Sequence, residues 1–238
     1  MLQKAIFKNN LKYFNKMGIS ANLNTVAYSN YKFLKKLMSK KKNPKILMIG
    51  GGIAKYGKGV ELLGEELLKR SVNLECKKGK VVDVVGDAHK LPFKDKQFDL
   101  VISQAVFEHV KDPVNATREA IRVLKPKGII YIELPFMQTY HPSPTDYYRF
   151  NLDGIRELLK DFKEIKSGIA CGPASATTML LNEFFAILLS FNSHLLYKFF
   201  KKGFRIILYP IKLLDYFLRF YKDAYRAASA FYFIGELK

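Results

Sequence analysis

Cysteine is scarce in this 238-residue chain, which has only Cys76 and Cys171. Their separation matches no metal-ligand spacing, so no metal site is expected and a reducing compartment is the default. Long apolar runs are missing too. Nothing approaches the roughly 18 uncharged apolar residues that signal a membrane span. The uncharged run from Phe184 to Tyr197 is only about 14 residues long. The start, Met1 to Lys16, mixes Lys and Asn among its apolar residues and is not a secretory signal. Acidic side chains are outnumbered, 21 against 40 basic ones, for a formal charge of +19. That balance asks for an anionic partner: nucleic acid, an acidic membrane surface or a negatively charged substrate. The length suffices for one domain with a full core plus an appendage.

What is present centres on Lys45–Gly52, KILMIGGG. Ile46–Ile49 reads as a short buried strand. Gly50, Gly51 and Gly52 follow at once, a turn with no Cβ in the way, where backbone N–H groups can approach a ligand closely. Apolar positions Val60, Leu62, Leu63, Leu67 and Leu68 predict a helix next. A second strand is placed at Val72–Cys76, with Glu75 at its carboxyl end. A carboxylate there suits the two hydroxyls of a ribose. Val81–Val85 is a third strand, closed by Gly86-Asp87-Ala88-His89. Leu91-Pro92-Phe93, the strand Phe98–Ser103, and Arg122-Val123-Leu124-Lys125-Pro126-Lys127-Gly128 leading into a strand at Ile129–Leu134 complete the series.

In that linked order, from about Lys45 to Phe150, the chain resembles the class I S-adenosylmethionine-dependent methyltransferases, especially the branch that modifies small molecules and glycans. The resemblance implies an α/β, Rossmann-like sheet with helices on both faces, and S-adenosylmethionine as cofactor. It implies that Gly50, Gly51, Gly52 and Glu75 face the cofactor. It also implies that Asp87 receives the adenine amino group and that Ala88 offers its backbone N–H. Ser103 and Gln104, which precede Glu108-His109, would line the space next to the methyl group. Two departures stand out: Met48 replaces the acid two residues before the first glycine, and Ala54 replaces the third spaced glycine. The Asp/Asn-Pro-Pro-aromatic tetrad of amino-methyltransferases and the Pro-Cys nucleophile of C5-cytosine enzymes are both absent.

The remaining chain is read around that core. Residues 1–43 form an N-terminal helical cap, with Tyr31, Phe33, Leu34 and Leu37 on one helix. Residues 44–173 are the cofactor-binding core. Residues 174–228 are an amphipathic helical insertion, and 229–238 the final strand. After strand five, Pro135–Phe150 has three prolines and five aromatics and no helix or strand period. Tyr140, Tyr147, Tyr148 and Arg149 there are candidate acceptor-binding residues. His141, then His109, are the candidate bases for a hydroxyl acceptor. Lys212, Asp215, Arg219, Lys222 and Arg226 predict one polar stripe on an otherwise apolar helix from Pro210 to Ala228. The expected partners are a small-molecule or glycan acceptor and the anionic inner face of a membrane, with a cytoplasmic location. Nucleic acid ranks behind them. The alternatives are a basic RNA-binding or RNA-modifying protein on the same fold, and a non-catalytic relative.

Overall fold

The computed structural model describes residues 23–52, 59–142 and 145–238. Ile46–Ile49 is buried at all four positions, the pattern of a strand covered on both faces. It is the first of seven strands: β1 (Ile46–Ile49), β2 (Ser71–Glu75), β3 (Val84–Val85), β4 (Phe98–Gln104), β5 (Leu124–Pro135), β6 (Phe162–Cys171) and β7 (Ala230–Leu237). They form one sheet in the order β3-β2-β1-β4-β5-β7-β6. β1 to β5 pair in parallel, and β7 slots antiparallel between β5 and β6. This is the expected Rossmann-like sheet, with one antiparallel strand, β7, inserted next to the β6 edge.

The helices are α1 (Ala27–Met38), α2 (Glu65–Leu68), α3 (Pro113–Val123), α4 (Leu152–Leu158), α5 (Pro173–Leu188), α6 (His194–Ile207), α7 (Tyr209–Lys212) and α8 (Asp215–Leu218). Tyr31, Leu34 and Met38 of α1 cover one sheet face with Val60, Leu63 and Leu67. Ala116, Ala120 and Val123 of α3 cover the other with Ile155. Asp112 starts α3 by accepting from the Asn115 N–H at 2.9 Å, and Asn151 caps α4 by accepting from the Gly154 N–H.

Several boundaries differ from the sequence reading. The helix expected over Val60–Leu68 breaks at Gly64, whose φ is 86°, into a 3-10 turn and the single turn α2. β2 runs from Ser71 to Glu75, leaving Cys76 exposed beyond it. The third strand shrinks to Val84–Val85 because side chains take over its ladder. The Asp83 carboxylate accepts from Asn73 N, and the Asn73 amide donates to the Val81 carbonyl. β5 begins at Leu124, through the expected turn, and continues to Pro135.

The largest difference lies between β6 and β7. The insertion is helical as expected, but residues 210–228 are short turns rather than one helix. Its polar stripe points inward at first. Lys212 and Asp215 are buried. The Asp215 carboxylate accepts from Ala174 N and Ser175 N at 2.8 and 2.9 Å, capping α5 from a distance in sequence. Arg219 donates to the Thr25 carbonyl. With these charges turned in, Leu214, Phe217, Phe220 and Tyr221 face outward. Asp215→Ala removes that cap and strands two buried amides. We expect a loss of about 2 kcal/mol, read as a fall of roughly 4–8 °C in Tm by calorimetry. Asp215→Asn, which keeps an acceptor, should lose less.

Candidate active site

The glycine turn sits at the carboxyl end of β1, at the mouth of the sheet where α/β proteins bind ligands. Gly50 and Gly52 have φ of 69° and 114°. A Cβ on Gly50 would lie 2.2 Å from a Val106 methyl, and one on Gly51 2.5 Å from Asn73 Oδ1. The turn is oriented from β2. Gly51 N donates to Asn73 Oδ1 at 3.0 Å, Gly52 N to Glu75 Oε1 at 2.8 Å, and the Asn73 amide returns to the Gly52 carbonyl. With Met48 at the usual acidic position, Asn73 and Glu75 hold the turn instead. Asn73 was not singled out from sequence, because its role depends on the β1–β2 register that sets it beside Met48. Ala54 lies outside the described residues.

A cleft of about 720 Å³ opens beside this turn. Gly50, Gly52, Glu75, Asp87, Ala88 and His109 are among the residues that line it. That is room for a nucleoside-sized ligand. Asp87 accepts at Oδ1 from the His89 backbone and from its ring at 2.7 Å. Those contacts, the backbone one foremost, hold its carboxyl below the usual range. The His89 ring also accepts the Asp112 N–H, tying this wall to the start of α3. The turn Leu91–Phe93 is clamped from α3 as well. Arg122 donates to the carbonyls of Leu91 and Phe93 and to Asp95, while Glu119 accepts the Leu91 N–H. The sequence motif contained Arg122 but did not reveal what it grips.

At the other end of the cleft, Glu108 and His109 lie on a single 3-10 turn after β4. Glu108 is fully buried, and neither carboxylate oxygen has a hydrogen-bond partner. His109 Nε2 and His141 Nε2 stand 3.8 and 3.7 Å from Glu108 Oε1. The two rings meet edge to face at 5.3 Å. Glu108, followed by the Thr139 carbonyl and Asp146, raises the His141 pKa against the effect of burial. Thus both candidate bases come together, although 32 residues separate them in sequence.

Pro135–Phe150 stays irregular, as expected, with residues 143–144 outside the described set. Arg149 pins it. Its guanidinium donates to the Gln138, Thr139 and Tyr148 carbonyls and to both oxygens of Asp146. That pairing holds the Asp146 carboxyl far below its usual range. Arg149 therefore spends its donors within the loop. Tyr148 donates to the Lys111 carbonyl, Tyr147 packs beside it, and Tyr140 is exposed. Behind the loop is a smaller pocket whose lining includes Tyr140, His141, Asn182, Lys201 and Arg205. The His109–His141 pair stands between it and the cleft.

Ser103 and Gln104 lie away from the cleft lining. Gln104 joins a buried network in which Tyr31 donates to Gln104, and Gln104, Asn24 and Tyr131 donate to Glu133. Burial raises the Glu133 pKa. The network docks α1 onto β4 and β5. The Ser103 hydroxyl is buried without a hydrogen-bond partner.

Residues 52–132 match the family described as "Methyltransferase domain". A ubiquinone/menaquinone biosynthesis C-methyltransferase of Neisseria meningitidis is 33% identical over 127 residues, covering 47% of this chain and 51% of that protein. Among solved structures, a candidate sarcosine dimethylglycine methyltransferase from Galdieria sulphuraria superposes with a TM-score of 0.56 at 15% identity, covering 97% of each chain. Phosphoethanolamine N-methyltransferase 2 of Haemonchus contortus, solved with phosphomonomethylethanolamine and S-adenosylhomocysteine, gives 0.53 at 21% identity, covering 88% of this chain and 52% of that one. The chain spans between about a third and two thirds of the length of the first curated relatives it matches. It has the class I methyltransferase fold, and its residues 52–132 match the methyltransferase-domain family.

The Arg122 clamp makes a pH-dependent prediction. Arg122 holds the Glu119 carboxyl below its ordinary value of 4.5. A group depressed in the folded state stabilises above its unfolded pKa and stops doing so as pH falls through the folded one. Arg122→Ala should therefore lower Tm at pH 7, and the gap to the parent should shrink below pH 4.5. Calorimetry at pH 7 and in acid checks this.

Proposed function

We propose that this protein is an S-adenosylmethionine-dependent methyltransferase. Its proposed acceptor is a hydroxyl of a small molecule, sugar or lipid-linked glycan, at the inner face of a membrane. The observation that carries the reading is the convergence on one cleft of the glycine turn, Glu75 at the end of β2 and Asp87 after β3. These residues fit the cofactor. Glu75 would take the ribose hydroxyls, and Asp87 with the Ala88 N–H the adenine edge. The Leu91–Phe93 turn would cover the base. When bound, the cofactor would supply an activated methyl to the acceptor oxygen, its sulfur keeping the electron pair of the broken carbon–sulfur bond, with the hydroxyl proton passing to a neighbouring base such as His141 or His109.

The protein's contribution is then positioning and charge. Cleft and pocket meet at His109 and His141, so an acceptor entering by the pocket reaches the methyl end beside them. A hydroxyl needs a base or a positive charge there to become a good nucleophile, which favours oxygen as the acceptor atom. Lys201 in the pocket wall is paired with Glu183, and Arg205 and Lys212 beside it leave the lining with an excess of positive charge suited to an acceptor bearing negative charge.

The insertion supports placement at a membrane. No helix among the described residues is long and apolar enough to cross one. Yet Phe191, Leu195, Phe199, Ile207, Phe217 and Phe220 are all exposed by 66% or more. α6 has no buried residue at all, and Lys198, Lys202 and Arg205 flank its Leu195–Phe199–Ile206 stripe. An apolar surface edged with cations fits the headgroup layer of an anionic bilayer. Each such cation contributes about 1 kcal/mol near that surface.

Two measurements test these readings. Calorimetry should show S-adenosylmethionine binding to the full chain, weakened by about 1.5–3 kcal/mol in Glu75→Ala. An intact protein that binds no cofactor would end the proposal. Flotation with phosphatidylserine vesicles should capture the protein at low salt and release it at high salt. Binding to RNA in place of vesicles, or to neither, would overturn the membrane placement.

A further inference from the structure

We infer that Glu108, His109 and His141 form a binding site for one divalent first-row transition-metal ion, placed where cleft and acceptor pocket meet. The inference builds on the proposed transferase reading but rests on its own geometry.

Ring tautomers come first. His109 Nδ1 lies 2.5 Å from the Thr145 carbonyl, and His141 Nδ1 lies 2.8 Å from the Thr139 carbonyl. A carbonyl oxygen can only accept, so each ring must carry its proton on Nδ1 and donate it. In the neutral rings both Nε2 atoms then present lone pairs, and both face the Glu108 carboxylate. Three acceptors converge with no donor among them. Glu108 is fully buried, and no hydrogen bond reaches its carboxylate from elsewhere. A bare carboxylate in such a place is costly unless positive charge joins it.

Distance separates the two sources of that charge. A proton shared between imidazole and carboxylate draws nitrogen and oxygen to about 2.7–2.9 Å. The observed separations are 3.7 and 3.8 Å. Ligands held about 2.0–2.2 Å from one cation stand roughly 3–3.6 Å apart, within a few tenths of what is seen. The ligand atoms of all three residues lie within 4.8 Å of one another. The outer contacts also suit an ion. Metal-bound histidines ordinarily donate their other ring N–H to a carbonyl or carboxylate, which fixes the ring. Both rings here do so before any ion arrives. Around His141, Asp146 Oδ2 at 3.6 Å and Arg149 Nη2 at 3.3 Å are already paired to each other.

Two imidazoles and one carboxylate select ions such as Mn, Fe, Co, Ni or Zn in the divalent state over calcium or magnesium. Three protein ligands leave positions open. At this junction those positions face the route of the acceptor, so the ion would orient an acceptor hydroxyl and favour its ionised form.

The test uses Co²⁺, whose visible absorption reports its ligands, on the 238-residue chain after chelator treatment. We expect one equivalent bound, with calorimetry and the visible band agreeing. His141→Ala and His109→Ala should each weaken it at least about 100-fold, while His194→Ala, remote from the cluster, leaves it unchanged. His141 is partly exposed, and a circular dichroism spectrum matching the parent shows that its variant folds. Failure to bind Co²⁺ below 1 mM, estimated as an ordinary weak surface affinity at about −4 kcal/mol, overturns the site. Undiminished binding in both histidine variants overturns it equally. S-adenosylmethionine affinity, measured separately on the metal-free protein, reports on the transferase reading, so the two can fail independently.

Discussion

The hydrogen bonds from Gly51 and Gly52 to the side chains of β2 are the constraint on which the cleft depends. A glycine-rich turn has many conformations open to it, and something must choose one. Here Asn73 and Glu75 choose it, from a strand whose register against β1 puts Asn73 beside Met48. The same β2 carboxylate that is proposed to meet the ribose is thus also a structural partner of the turn. Binding and folding share one residue, which explains how the turn can dispense with an acid two positions ahead of its first glycine.

A second layer of support comes from α3. Asp112 at its start, donating to the His89 ring, and Arg122 at its end reach across to the loop after β3. The cleft wall is therefore braced by a helix packed on the sheet, and the loop need not be stable alone. On the opposite face the Tyr31–Gln104–Glu133 network plays a comparable part for α1. Both are polar connections between elements distant in sequence. Both use residues that read locally as an ordinary charged helix face or a cofactor-side strand end.

The insertion shows how far local pattern carries. A 3,4,3,4 spacing of charges reads as a polar stripe on one continuous helix, whereas short separate turns form there. The direction of the stripe could not be read, because period says which residues share a face and nothing about what that face meets. Asp215 is needed as a cap by amides at Ala174 and Ser175, so the chain turns Lys212 and Asp215 inward and its aromatics out, while Lys222 and Arg226 stay exposed. The apolar surface that results belongs to the tertiary arrangement, although every residue in it was visible from the start.

The sequence by itself determined the sheet: short β-branched runs, glycine and aspartate at their carboxyl ends, and helices between them. These are local signals, written in neighbouring residues, and they also placed Glu75 and Asp87 at strand ends. The last strand was legible too, from its aromatic run, but its antiparallel pairing between β5 and β6 was not. What only the tertiary structure decided is which side chains meet. The two His-to-carbonyl bonds that orient the rings at Glu108 join residues 36 apart and two apart. His141 meets Glu108 in a loop that is pinned by the Asp146–Arg149 pair and whose Tyr147 N–H donates back to the Glu108 carbonyl. Hydrophobic period and turn chemistry act over a few residues. Convergence of polar groups is set by how whole elements pack, and no spacing along the chain encodes it.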